Sequence, residues 1–383
     1  MRIFRNDYSR SGLSIRSLWV AYSPSRWALL AGMLAVTGGL LGAGCKGSQS
    51  MAGEVTKARL CTGQMLAARR ELLSAGRAVV PTQVVDLLER PQPQSTLADQ
   101  AVLGDILKIL PETSATACAE PEGLYLRVET ESGYHGYAAV AALVPWRAAE
   151  PYRAGAREQV VTRFANIYPQ PNLTVSNPWV VAPLGTELRR VAVHDARWLK
   201  VLLPDGKAGF VQRGDVVSLP AESSAGGAAH ADAACVVNQG LLHEGTPYLW
   251  GGRSTFGIDC SGLVVNSYLA CGILLPRDAR LQYEWAQAQK VTPEKDVSAL
   301  QPGDMVFFTS VDVQPSAHPK ITHVGLYVGA GSFVHATTSE RPTVHRSLLT
   351  EPEWSRRWVG SRRYSGLNNA AGLLPAEAAK PAR

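Results

Sequence analysis

Several signatures are missing from this chain, and each absence removes a class of protein. No Cys-x-x-Cys or His-x-x-x-His pair occurs, so the short ligand spacings of a zinc site are lacking and no metal is expected. No helical repeat or sustained heptad runs through the 383 residues, which sets aside solenoids and coiled coils. Charged residues make up 18% against 46% hydrophobic, so a core is available and wholesale disorder is excluded. No basic cluster is interleaved with aromatics. The net charge of +6 is largely N-terminal: Arg2, Arg5, Arg10, Arg16 and Arg26 against Asp7 place +4 of it within residues 1–44. Nucleic acid is therefore not an expected partner.

What is present suggests two or three domains, rich in turns, with 24 Pro and 35 Gly. After the arginine-bearing start, an apolar run from Trp27 to Gly44 ends in small residues before Cys45. That is the layout of an export signal over residues 1–44. It resembles a bacterial lipoprotein signal, which implies lipid on Cys45, and Lys46 in place of Asp is compatible with an outer-membrane anchor. An uncleaved signal-anchor helix and plain secretion remain open, since the run is close to the roughly 20 residues that span a bilayer. Every one of these readings places the bulk outside the cytoplasm. In such an oxidising compartment Cys61 can pair with Cys118, and Cys235 with Cys271, although connectivity stays open.

The pattern of Leu60, Met65, Leu66, Leu72 and Leu73 predicts a helix over residues 51–78, within an N-terminal helical segment of 45–93. A second helix is predicted from Thr96 to Leu110, then short strands at 124–128 and 137–140. Strand signals become regular from Val160 to Leu219, and Asp205-Gly206 between alternating runs is a hairpin cue. These strands predict a small barrel at 155–219 that resembles a bacterial SH3-like domain, with a diverged first copy at 94–150. Residues 220–234 read as a linker and 366–383 as a disordered tail.

The chemistry sits in residues 235–365. A glycine-rich stretch, Gly245 to Gly252, leads to Gly257-Ile258-Asp259-Cys260-Ser261-Gly262 and an apolar periodic run. This puts Cys260 in the first turn of a buried helix, where free N–H groups and the helix dipole are expected to lower its pKa. Downstream, Met305-Val306-Phe307-Phe308 is a strand, and 321–328 with 332–336 form a hairpin around Gly329-Ala330-Gly331. His323 and His335 share one face if that loop holds three residues, and both are expected to point toward the Cys260 helix. A thiol, an imidazole base and a second polar group that orients the base make a nucleophilic constellation. His243, His318 and His345 read as surface residues, and Met305, Phe307, Phe308, Trp354, Trp358 and Tyr364 as packing.

Taken in order, Asp259-Cys260-Ser261-Gly262, the 302–308 Pro-Gly-Asp strand, His323-Val324-Gly325 and His335-Ala336 resemble the NlpC family of cell-wall cysteine peptidases. The resemblance implies an α+β, papain-like catalytic domain that uses no cofactor. It implies Cys260 as nucleophile, His323 as base and His335 as its orienter, with Tyr248 lining the site and Asp259 and Ser261 shaping the pocket. SH3-like modules ahead of such a domain are similar to the subgroup that cuts γ-D-glutamyl–diamino acid bonds in peptidoglycan stems. There an Arg-Asp-Ser triplet binds the free amine of L-Ala, and here Arg277-Asp278-Ala279 keeps the aspartate and lacks the serine. Asp278 is thus a candidate amine ligand, against a helix cap or an ion pair with Arg277 or Arg280, and Glu129, Glu131 and Tyr137 are candidates for wall contacts from the first module. The alternatives are a non-catalytic wall-binding lipoprotein, or an amidase or acyltransferase with the same Cys-His-His set.

Overall fold

The computed structural model describes residues 63–111, 124–147, 149, 152, 155–219, 232–285, 287–291, 295–310, 319–339 and 341–367. The export segment, Cys45, Cys61, Cys118, His318, most of the linker and nearly all of the C-terminal tail lie outside them. Among the described residues no helix is long and apolar enough to cross a membrane.

The first amphipathic stretch forms the helix Gly63–Ala75, which buries Leu72 against an antiparallel sheet. That sheet has seven strands in the order 97–102, 84–88, 135–139, 125–129, 106–109, 77–79 and 144–145. Its core includes Leu87, Leu107, Leu126 and Val128. The sheet starts at Arg77, so strands occupy part of the segment expected to be helical up to residue 93. The helix expected at 96–110 is likewise two strands, Leu97–Val102 and Ile106–Ile109. Leu107 and Ile109 are buried on either side of exposed Lys108, which is a period of two, and Gly104 turns the chain at φ +87°.

Strands appear throughout 155–219 as expected, but they do not close a barrel. Five form one sheet in the order 208–212, 198–202, 187–193, 156–160 and 216–218. Strands 164–167 and 180–183 pair with each other and join the larger sheet through the bridge between Tyr168 and Phe210. The Asp205-Gly206 hairpin forms, with Gly206 at φ +83°.

The third region opens with the helix Ala233–Leu242, whose Asp232 cap and first two residues fall within the stretch 220–234 expected as linker. A six-stranded antiparallel sheet follows in the order 288–290, 358–364, 305–308, 323–329, 332–337 and 343–348. Its two faces have separate cores. Val324, Leu326 and Val334 pack with Leu263, Val264 and Tyr268 of the helix Cys260–Leu269. Phe308, Tyr327 and Phe333 pack on the other face with Trp354 from the helix Pro352–Arg357. A Cys235–Cys271 disulfide joins the first helix to the turn after the Cys260 helix, while Cys260 is a free thiol.

Candidate active site

Cys260 is the first residue of its helix, and Asp259 is the N-cap. The Asp259 carboxylate accepts from Gly262 N at 2.7 Å and from Ser261 Oγ at 3.1 Å. Gly262 also lets the helix start pack on the Gly252 main chain, since a Cβ there would collide with the Gly252 carbonyl oxygen. Among the described residues the sulfur is hydrogen-bonded by main chain, at Val324 and Ser261, and by no side chain. The thiol does not have the lowered pKa expected of a helix start. Desolvation of the sulfur pushes it up to about 12, the Asp259 carboxylate adds to that, and the Val324 bond, the Arg277 charge and the Ser261 bond pull back. Burial outweighs the helix dipole here.

The histidines do share a face, though by a different device. The turn is Ala330-Gly331, both at positive φ, and a bulge between Tyr327 and Gly329 supplies the one-residue shift credited to a three-residue loop. Nor is the shared face the one that packs on the Cys260 helix, since Val324, Leu326 and Val334 occupy that side. His323 and His335 lie on the Trp354 face. His323 meets the thiol's surroundings as the first residue of its strand, directly before Val324.

His323 Nε2 and His335 Nδ1 are 2.8 Å apart, and His335 Nε2 and Ser347 Oγ are 3.2 Å apart. Trp354 stacks on His323 at 5.3 Å between centroids and meets His335 edge-on at 4.6 Å. Burial pushes His323 down to about 3, with Arg357 adding, Asp259 opposing and His345 adding. His335 is held well below the ordinary range by burial and then by its neighbours His323, His345 and Arg357. Both rings are therefore neutral at pH 7. His345 is buried opposite His335, with ring centroids 5.0 Å apart, and His243 is buried too, with burial and then Arg163 moving it down to about 4. Neither is the surface residue expected.

The NlpC/P60 family pattern matches residues 245–363. This segment belongs to the NlpC/P60 family. The chain is 33% identical over 165 residues to a gamma-D-glutamyl-L-lysine dipeptidyl-peptidase of Bacillus cereus, covering 43% of this chain and 45% of that protein. It therefore spans under half of that relative's length. It is 28% identical over 264 residues to dipeptidyl-peptidase 6 of Lysinibacillus sphaericus, covering 68% of this chain and 87% of that protein. A crystal structure of an NlpC/P60 family protein from Bacillus cereus superposes with TM-score 0.62 at 22% identity, over 75% of this chain and 99% of that one, which is a likeness of fold.

Around the NlpC/P60 domain, other expected residues take different places. Asp259 and Ser261 are buried, and their side chains are engaged by the cap and by Arg277 rather than facing a ligand. Tyr248 is half-buried beside Cys260, and burial, the Cys260 charge and the Asp259 carboxylate raise its pKa. Asp278 begins the helix Ala279–Tyr283 without capping it. Arg280 pairs with Glu284, and the Asp278 carboxyl is instead hydrogen-bonded by Tyr134 from the first module. Burial raises Asp278, while the Arg277 charge and that bond oppose it. Glu129 pairs with Lys108 and His135, and Tyr137 lies within its own sheet opposite Arg127. Tyr134 is the first-module side chain hydrogen-bonded to Asp278. Ser347, Tyr134 and Asp99 were not singled out by sequence, whereas Trp354 was read as packing and does pack, against His323 and His335. Ser347 alone had a readable signal, since Thr343, His345 and Ser347 alternate along one strand beside His335.

Proposed function

We propose that the protein is a cysteine endopeptidase acting on peptidoglycan stem peptides, cleaving the bond between γ-D-glutamate and the diamino acid. The observation that carries the chemistry is the bonded row His323, His335 and Ser347, which begins directly before Val324, the residue whose main chain bonds the Cys260 sulfur; the His323 ring is bonded through Nε2, and in this reading its Nδ1 serves the thiol. If His323 Nε2–H donates to His335 Nδ1, then His335 Nε2–H donates to Ser347, and His323 Nδ1 is an acceptor. Substrate entry brings the carbonyl to the sulfur. The thiol proton passes to His323 Nδ1 as the S–C bond forms, and the carbonyl oxygen becomes an oxyanion. Backbone N–H groups at the start of the helix meet that oxyanion, with the Tyr248 hydroxyl beside them. The C–N bond then breaks, His323 returns the proton to the leaving amine, and water hydrolyses the thioester by the same base.

Asp278 with Tyr134 supplies a negative, hydrogen-bonding end of the cleft suited to the ammonium of an N-terminal L-Ala. The Bacillus cereus relative's name, with its γ-D-glutamyl bond, agrees with that substrate class. The β-rich modules are read as SH3-like and wall-facing, and the protein as exported and anchored through Cys45. In the test, Cys260→Ala lowers release of L-Ala-γ-D-Glu on the order of 10⁴-fold or more, and the intact enzyme prefers a free N-terminal L-Ala over its muramyl-blocked form. Release that persists in Cys260→Ala would reject the reading.

A further inference from the structure

Arg277 is buried, and all five of its N–H donors are used. Nη1 donates to Asp259 Oδ1 at 3.0 Å and to Ser261 Oγ at 2.9 Å. Nη2 donates to Asp259 Oδ2 at 2.8 Å and to the Gly252 carbonyl at 3.3 Å. The remaining Nε donates at 2.6 Å to Asp99 Oδ1, which lies 178 residues away in the first module's strand Leu97–Val102 and is wholly buried. Desolvation opposes the guanidinium charge, but Asp259 and Asp99 outweigh it. The fork of Arg277 thus grips the cap of the nucleophile helix, and its other edge is gripped from a different module.

We propose that Asp99 is a positioning residue for the nucleophile: through Arg277 it fixes the Asp259 cap, and with it the place of the Cys260 sulfur. The first module then completes the active centre instead of only flanking it. The bidentate contact to Asp259 sets the plane of the guanidinium, while rotation and sliding within that plane are checked at Nε. Without Asp99 the cap can follow Arg277 as it relaxes. Displacing a reacting atom by about 1 Å costs roughly a hundredfold in rate. The inference rests on Cys260 being the nucleophile.

The same interface offers an internal control. Asp105, also from the first module, pairs with Arg253 at 2.7 Å and does not touch Arg277. Asp99→Ala is compared with Asp105→Ala in the full chain, reading kcat and KM on a free-amine stem peptide and the pH profile of Cys260 alkylation by iodoacetamide. The titratable and charged groups bearing on that sulfur are Asp259, Arg277 and Tyr248, and His323 directly precedes Val324, whose main chain bonds it. Asp99→Ala should lower kcat roughly ten- to a hundredfold with KM within about threefold, and displace the alkylation profile. Asp105→Ala should leave both near the parent. Asp99→Asn keeps an acceptor for Nε and should recover most of the loss; it also gives the readout if the alanine variant does not fold. Equal effects of the two alanine variants, or an unmoved alkylation profile in Asp99→Ala, would overturn the proposal. Persistent hydrolysis by Cys260→Ala sinks the catalytic reading instead, and is told apart because alkylation reports on the sulfur whatever it does.

Discussion

The two sides of the candidate site, a helix wall and a strand wall, solve one problem in opposite ways. Both keep ionisable groups away from water, where an unpaired charge is costly. On the helix wall the charges are retained and paired, with Arg277 between Asp99 and Asp259. On the strand wall the charge is given up. His323 and His335 are neutral, bonded to each other, and packed among Trp354, Phe308 and Phe333. Pairing fixes direction, since a guanidinium with five committed donors has no second orientation of equal energy. Neutrality leaves a ring able to take up a proton, because burial outweighs the opposing pull of the Asp259 carboxylate on His323. On the proposed reading, the nucleophile is placed by ions and the base is kept available by aromatic packing.

The comparison breaks most visibly on the helix wall. Arg277→Met removes the cation and leaves two buried carboxylates facing each other, which should destabilise the protein by about 3–5 kcal/mol in urea unfolding. That is a large share of an ordinary domain's stability. A cost below about 1 kcal/mol would mean the pairing barely repays its desolvation.

The strand wall should give way to acid. The ordinary imidazole pKa near 6.5 applies in the unfolded chain, while the folded values lie at about 3 for His323, at about 4 for His243 and well below normal for His335. Folding therefore favours the neutral rings. Their stabilisation is intact above pH 6.5 and is lost as pH falls toward the folded values, with a slope of up to about 1.4 kcal/mol per pH unit for each ring. Asp105, Asp278 and Asp304, raised chiefly by burial, act with the opposite sign. Urea midpoints between pH 7 and 4.5 should fall, and His335→Asn should flatten the fall by about one proton's worth. An unaltered slope in that variant would put the titration elsewhere.

Much of the strand wall was legible in the sequence, and of the helix wall only the start of the helix at Cys260 was. The strand at Met305 and the hairpin of His323 and His335 are local patterns and formed where they were read, although the bulge that aligns the two histidines and the face they occupy were not. The stretch 96–110 misled because Leu103, Ile106, Leu107 and Leu110 fall at helical spacing, with Gly104 the sign that they belong to a hairpin. The thiol was misjudged because position in a helix is readable and desolvation is not. Asp99 and Arg277 carry no mutual signal at all, since their pairing exists only once a module 178 residues upstream docks. His345 and His243 illustrate the same limit, as a lone histidine shows nothing of what will cover it.

The smallest effect tests where the strand wall ends. Ser347 accepts from His335 Nε2–H in the arrangement that leaves His323 Nδ1 free to receive the thiol proton. Without the hydroxyl, His335 can shift its proton to Nδ1, and His323 must then present Nε2 as acceptor and carry its own proton on Nδ1, the wrong nitrogen for a base. A neutral hydrogen bond is worth about 1 kcal/mol, so Ser347→Ala should lower kcat by roughly fivefold with KM unchanged. Nitrogen NMR of the two rings should show the minor tautomer rising in step. A drop beyond about a hundredfold would make the hydroxyl part of the proton path, whereas an unchanged kcat would mean that Trp354 and the strand geometry already select the tautomer.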